Sequence, residues 1–304
     1  MNLSMTGALA ADYHSGAQRA RVVTEAWARS QLYCANCDSS SLGETPANNR
    51  AIDFVCPRCR APFQLKAKHS ALGETVTDGA YTAMVAAIRE DRTPNLLLMR
   101  YALATWEVRD LLLIPSFMFS ESAVIKRKPL AATARRAGWV GCNIALNRVP
   151  AEARIFLVQT IASEGRARSP SEPRRGAETA PYQNLQTVVI PPEEVRAQYK
   201  RVKPLKDISV TQRGWTLDVL NIVRRLCDRS SGRESAHSIP SSLSRLMSAA
   251  TGIFTTADAY AFTRELEKLH PDNRHVKDKI RQQLQVLRDL GLLLHVERGI
   301  WRLP

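Results

Sequence analysis

Apolar and polar positions alternate along the chain in patterned stretches separated by one that has no pattern. Helical periodicity runs through Arg19–Gln31 and again through Asp78–Arg89. Short apolar runs at Ala51–Val55, Phe63–Ala67, Asn95–Met99, Leu111–Ile114 and Ile155–Val158 read as strands. Strands separated by helices predict a mixed sheet covered by helices. From Ser163 to Pro181 the sequence is SEGRARSPSEPRRGAETAP, rich in Pro, Gly, Ser, Arg and Glu, which predicts a linker or insertion. A short helix is expected again around Pro192–Lys200. From about Arg213 helical patterns cover Trp215–Cys227, Ala257–Leu269 and Val276–Leu290, the last stopping at Gly291. Two short strands, Leu292–Val296 and Ile300–Leu303, flank a tight turn at Glu297-Arg298-Gly299.

Helices that end in a β-hairpin predict a winged helix-turn-helix. The expected organisation is therefore an α/β domain over residues 1–160, a partly disordered linker or insertion over 161–211, and a winged-helix domain over 212–304. A length of 304 residues suits two domains better than one.

Composition narrows the class. With 44% hydrophobic and 24% charged residues the chain can build ordinary cores. The net charge of +14 points to a polyanionic partner, since each phosphate neutralised releases condensed counterions. No apolar run approaches the roughly 18 residues of a membrane span. The N-terminal stretch lacks the basic start and apolar core of a signal peptide, so a cytoplasmic location is expected. In that reducing setting six cysteines are expected to bind metal or pack in cores rather than pair.

Four of the six are patterned. Cys34-Ala-Asn-Cys37 and Cys56-Pro-Arg-Cys59 are two CxxC pairs separated by 18 residues. Each pair curls the backbone into a knuckle that offers two thiolates, and two knuckles complete a tetrahedral shell around Zn²⁺. A closed shell leaves no open position, so this zinc is expected to be structural. Cys142 and Cys227 stand alone and read as buried core.

Asp53 lies in the apolar context Ala51-Ile52-Asp53-Phe54-Val55, where a carboxylate is costly without a partner. Gln64-Leu65-Lys66 follows, and on a strand Gln64 and Lys66 share a face. An acid on one strand, with an oxygen ligand and a lysine on the next, is the arrangement of the PD-(D/E)xK nucleases. In that reading Asp53 and the side-chain oxygen of Gln64 hold Mg²⁺, with the Leu65 carbonyl as a further ligand. Lys66 orients the attacking water and offsets charge on the phosphorane. Glu25 is either an additional carboxylate for the metal or a surface residue.

On these residues the chain resembles the family of DpnI-type restriction endonucleases and Dam-replacing proteins. The resemblance runs through Cys34-x-x-Cys37, Asp53-Phe54, Cys56-x-x-Cys59 and Phe63-x-Leu65-Lys66, then Asp78-Gly79-Ala80-Tyr81 and Lys126–Ala131. It continues through Thr133–Trp139 and Gly141-Cys142-Asn143, Arg154–Gln159, Arg213–Thr216 and Lys279–Gln285. It implies a PD-(D/E)xK restriction-endonuclease-like α/β fold, a mixed sheet flanked by helices with a four-cysteine zinc site, followed by a C-terminal winged helix. The implied activity is Mg²⁺-dependent cleavage of double-stranded DNA at N6-methyladenine sites, GATC in that family. Asp53, Gln64 and Lys66 fall on the family's catalytic positions, the four cysteines on its zinc ligands, and Trp139 on an aromatic of its methyl-sensing pocket. The chain departs from the family in having Gln64 where the pattern has glutamate, and in its longer segment between the domains.

The third C-terminal helix is the expected recognition helix. Val276, Ile280, Leu284 and Leu287 should face the core, leaving Lys277, Arg281, Gln285 and Arg288 for the major groove. Arg298 and Arg302 on the hairpin should meet the DNA backbone. Lys126, Arg127, Lys128, Arg135 and Arg136 are expected at phosphates near the cut. From the residues alone, Trp139 either packs on a methyl group or fills the core. The competing functions are a methylated-DNA reader or regulator that binds without cutting, and a zinc-containing repair nuclease that reads DNA structure.

Overall fold

The computed structural model describes residues 1–45, 51–162, 185–230 and 252–304. The Ser163–Pro181 segment read as a linker lies outside the described residues. The chain forms two compact units, the first from Met1–Leu72, Pro94–Ile114 and Ile155–Tyr199, the second from Gly73–Thr93, Pro115–Arg154 and Lys200–Pro304. Elements are numbered in chain order.

The first unit is a seven-stranded sheet. It contains β1 (Gly43–Glu44), β2 (Phe54–Val55), β3 (Pro62–Lys68), β5 (Asn95–Ala102), β6 (Glu107–Ile114), β9 (Ile155–Ala162) and β10 (Leu185–Val189), adjacent in that order. Only the β3–β5 pair is parallel, which makes the sheet mixed. The apolar runs Leu96–Met99 and Leu111–Ile114 are buried throughout, as central strands covered on both faces must be. Helix α1 (Gly16–Gln31) packs against β3 and turns Val23, Trp27 and Ala28 inward. Part of the expected insertion is ordered: β10 pairs antiparallel with β9, and α3 (Pro192–Val202) follows it.

The second unit opens with a three-stranded sheet of β4 (Thr75–Ala80), β8 (Gly141–Ala145) and β7 (Val124–Lys126). Here the helical reading of Asp78–Arg89 is corrected at its start. Asp78–Ala80 belongs to β4, with Ala80 opposite Gly141 after a bulge, and α2 begins only at Tyr81 and ends at Arg89. Pairing with a distant strand overrides the local periodicity.

The same unit carries the winged helix. Helix α4 (Val210–Ser230) leads to β11 (Ile253–Thr255), α5 (Thr256–Tyr260), α6 (Thr263–Leu269), α7 (Val276–Asp289) and the hairpin β12 (Leu294–Glu297) and β13 (Ile300–Arg302). The single helix expected over Ala257–Leu269 is two. Thr255 and Asp258 form a reciprocal capping box that starts α5, and the chain breaks at Ala261–Phe262, where the Phe262 ring is buried. Gly291 and Gly299, at φ +70° and +77°, make the stop after α7 and the wing turn. Strand β11 joins β13 as a third strand of the wing sheet. Trp301 on β13 is buried and donates from Nε1 to the Thr256 hydroxyl at 2.8 Å, tying the wing to α5.

Candidate active site, zinc cluster and nucleic-acid interface

In the first unit the β2–β3 hairpin carries the catalytic candidates. Phe54 pairs with Phe63, and the amide of Asp53 donates to the Phe63 carbonyl at 2.9 Å. The main-chain ladder then changes partner. The Asp53 carbonyl accepts from the Thr45 amide at 3.2 Å, and the Asp53 carboxylate accepts from the Leu65 amide at 2.8 Å. The side chain thus takes the place of a strand carbonyl, which is how a carboxylate is accommodated in an apolar run.

On β3 the regular pairing sets Gln64 beside Leu96 and Lys66 beside Leu98, so the two polar side chains share a face. All three candidates are half-buried. One carboxylate with amide and carbonyl oxygens would make a hard donor set of the kind that Mg²⁺, an ion that keeps several waters, takes. Among the described residues the only cluster of three or more His, Cys, Asp and Glu is the cysteine one.

Helix α1 adds a residue that sequence reading did not single out. Arg21 donates from Nε to Glu25 Oε1 at 2.8 Å, and its guanidinium is held charged above its ordinary value, first by Glu25 and more weakly by Asp53. Glu25 is half-buried in this pair. The available signal was the i, i+4 spacing of Arg21 and Glu25 on a helix. Its proximity to Asp53 depends on α1 packing.

The four cysteines converge. Their Sγ atoms all lie within 4.8 Å of one another, with Cys34–Cys59 at 3.6 Å and Cys37–Cys56 at 3.5 Å. Zn–S bonds of about 2.3 Å in a tetrahedron set the sulfurs about 3.8 Å apart, so the cluster fits zinc. Cys34 and Cys56 are buried. Burial pushes the Cys34 thiol up. Burial opposes ionisation of Cys56 too, but the Cys59 and Arg58 amides aimed at its sulfur prevail and bring it down to about 6. Cys142 and Cys227 are buried, away from this cluster in sequence and placed in the second unit.

The nucleic-acid candidates belong to the second unit, whereas the candidate catalytic and zinc-binding residues belong to the first. Lys126, at the end of β7, and Arg127, Lys128, Arg135 and Arg136, on the loop between β7 and β8, are exposed. The loop is closed by the Arg127 amide on the Gly141 carbonyl at 3.0 Å and the Leu130 amide on the Trp139 carbonyl at 2.9 Å. Trp139 is half-buried, neither core nor free. Its ring lies against Gly141, where a Cβ would sit 2.7 Å from it, and the Arg136 guanidinium stands 5.1 Å above it. Lys126 is placed 5.4 Å over the Tyr81 ring.

Along α7 the expected division holds: Val276, Ile280, Leu284 and Leu287 are buried, and Lys277, Arg281, Gln285 and Arg288 are exposed. Arg281 pairs with Asp278 at 2.6 Å, Arg288 with Asp289 at 2.8 Å, and Lys277 stands 5.7 Å over Tyr260. Arg298 and Arg302 are exposed on the wing. A cavity of about 940 Å³ in this unit is lined in part by Trp215, Asp218, His270 and Arg274. There His270 stacks on Trp215 at 3.8 Å and meets the buried Asp218 at 2.8 Å. Sequence reading did not single out this contact.

A mixed α/β sheet with a cluster of four cysteines, followed by a winged helix, defines a chain of the restriction-endonuclease-like, DNA-binding class. The family model described as the Dam-replacing family matches residues 1–167, and that of the Dam-replacing HTH domain matches residues 245–303. The first spans more than half of the sequence, and the chain belongs to the Dam-replacing family. Membership implies a nuclease that carries a DNA-binding helix-turn-helix domain. Among the described residues, no helix is long and apolar enough to cross a membrane.

Proposed function

We propose that this protein is a methyl-directed endonuclease that cleaves double-stranded DNA at sites containing N6-methyladenine, GATC being the first sequence to test. The reading is carried by the β2–β3 hairpin, which sets Asp53 against Leu65 and places Gln64 and Lys66 on one strand face, in a chain of this family. Asp53, Gln64 and the Leu65 carbonyl would hold Mg²⁺, which when bound polarises the scissile phosphate and stabilises its developing charge. Lys66 positions the water for in-line attack and places a cation beside the phosphorane oxygens. The bond between phosphorus and the 3′ oxygen breaks, leaving a 5′-phosphate and a 3′-hydroxyl.

Recognition is divided. The exposed α7 face with Lys277, Arg281, Gln285 and Arg288 enters the major groove, and Arg298 meets the backbone. The basic β7–β8 loop neutralises phosphates, and Trp139 offers an aromatic surface to a methyl group. The zinc of the four-cysteine cluster is structural. The cytoplasm, where foreign methylated DNA would be met, is the proposed site of action.

A second reading, a methylated-DNA reader that does not cut, is favoured by Gln64, an amide that holds a divalent cation less strongly than a carboxylate. One plasmid, prepared with and without adenine methylation and incubated with the protein and Mg²⁺, separates the two. Discrete fragments from the methylated form alone are expected. Tighter binding of that form with no cleavage of either would establish the reader instead.

A further inference from the structure

Residue Arg196 lies in a stretch that neither family model matches, between residues 167 and 245, yet it reaches the zinc knuckle. Its Nε donates to the carbonyls of Cys34, at 3.1 Å, and Cys37, at 2.9 Å, and its Nη2 donates to the Ser39 carbonyl, at 3.1 Å. The guanidinium also stands 5.2 Å over the Tyr33 ring. One side chain therefore gathers three carbonyls of the first CxxC turn from more than 150 residues away in sequence.

The helix that presents Arg196 is fixed to the sheet. Val195 and Tyr199 of α3 are buried, and Tyr199 donates its hydroxyl to Asn95 Oδ1 at 3.1 Å. Asn95 in turn donates Nδ2 to the Pro62 carbonyl, at the start of β3, at 2.9 Å. The arginine is thus delivered by a rigid element and not by a loose tail.

We propose that Arg196 is a positioning residue for the zinc site, a cationic fork that holds the Cys34–Ser39 turn in its metal-binding shape and offsets the charge of the bound cluster. The proposal rests on the reading of the four cysteines as a zinc site. Four thiolates around Zn²⁺ carry a net charge of about −2, and a guanidinium on the knuckle carbonyls lowers the cost of gathering them. Holding those carbonyls outward also directs amide N–H groups of the turn toward the sulfurs, as the Asn36 and Cys37 amides are directed at Cys34.

The test uses the full chain, loaded with zinc, and follows zinc release to a chromophoric chelator. Wild type is expected to hold one zinc. Arg196→Ala is expected to release it about tenfold faster or more, the usual scale for losing such a support. Arg196→Lys keeps the charge but not the fork, and is expected to fall between the two. Should Arg196→Ala fail to fold, the lysine variant carries the comparison. Val195→Ala loosens the buried face of α3 while keeping the Arg196 side chain, and its release rate should stay within about twofold of wild type. Release from the Arg196 variants at the wild-type rate would overturn the proposal. So would equal acceleration by Val195→Ala, because helix docking alone would then account for the effect. A wild-type chain that binds no zinc would instead defeat the underlying reading of the cysteines, and the proposal with it.

Discussion

The carboxylate of Asp53 accepts the hydrogen bond of the Leu65 amide at 2.8 Å, in the position that a strand carbonyl would otherwise occupy. The contact joins the Asp53 segment to β3, where the regular pairing with β5 leaves Gln64 and Lys66, the neighbours of Leu65, on one face. One residue therefore serves both the fold and the proposed chemistry, and substitutions can separate the two. Asp53→Asn keeps an acceptor for Leu65 and should melt near wild type while losing cleavage. Asp53→Ala should also lose about 1–3 kcal/mol of stability, because a half-buried amide is left unpaired. Lys66→Ala should keep DNA binding and lower the cleavage rate roughly a hundredfold to a thousandfold. Urea unfolding and single-turnover cleavage read the two effects independently, and retained cleavage in Lys66→Ala would remove that lysine from the mechanism.

Charge at residue 64 should set the metal requirement. Gln64→Glu adds a second carboxylate to the donor set proposed for Mg²⁺, Asp53 and the Leu65 carbonyl. The Mg²⁺ concentration for half-maximal cleavage is expected to fall roughly tenfold, measured as cleavage rate against Mg²⁺ at fixed ionic strength. An unchanged requirement would place the cation elsewhere.

Trp139 should depend on the absence of a side chain at residue 141. A Cβ there would meet the indole at 2.7 Å, so Gly141→Ala must displace the ring that Arg136 covers. Gly141→Ala and Trp139→Ala are both expected to reduce the ratio of affinities for methylated and unmethylated duplex. Arg135→Ala should instead weaken both duplexes equally and lower the salt slope by about 0.9 per lost phosphate contact. Competition binding at several salt concentrations distinguishes the patterns.

In the winged-helix core the Thr216 hydroxyl lies 2.6 Å from Gln283 Oε1 and 2.9 Å from the Gln212 carbonyl, and Gln283 Nε2 has no hydrogen-bond partner among the described residues. A hydroxyl has one proton to give, so reversing the amide lets Nε2 donate to Thr216 while Thr216 donates to Gln212. Thr216→Val should then cost about 1–3 kcal/mol by leaving the buried amide unpaired. Gln283→Leu should be neutral or stabilising. Denaturant midpoints of the two variants check this, and a strongly destabilised Gln283→Leu would show that the amide has a partner the hydroxyl does not supply.

Much of the fold was legible because its signals are local. The runs Asn95–Met99 and Leu111–Ile114 are apolar without interruption, as central strands are, and both occur as strands longer than expected. The division of α7 into a buried and an exposed face follows from 3.6-residue periodicity alone. The strands β1, β4, β7, β8, β10 and β11 have no such uninterrupted apolar run in the sequence and exist through pairing with another strand. Asp78–Ala80 has the helical periodicity of the segment that follows and becomes a strand only through β8.

Spacing within one segment encodes two CxxC pairs suited to one metal, an acid in an apolar run followed by an alternating Gln and Lys, and a helix and hairpin of winged-helix type. Which distant residues meet is a matter of the folded arrangement. Arg21 comes within electrostatic range of Asp53, Arg196 reaches the first knuckle, and His270 stacks on Trp215 beside Asp218. The folded arrangement also decided that Gly73–Thr93 and Pro115–Arg154 share a compact unit with the C-terminal segment. The physical reason is the same in each case. Local pattern records how a segment satisfies its own backbone and which face it buries, whereas the partner of a buried face is chosen by packing among all segments at once.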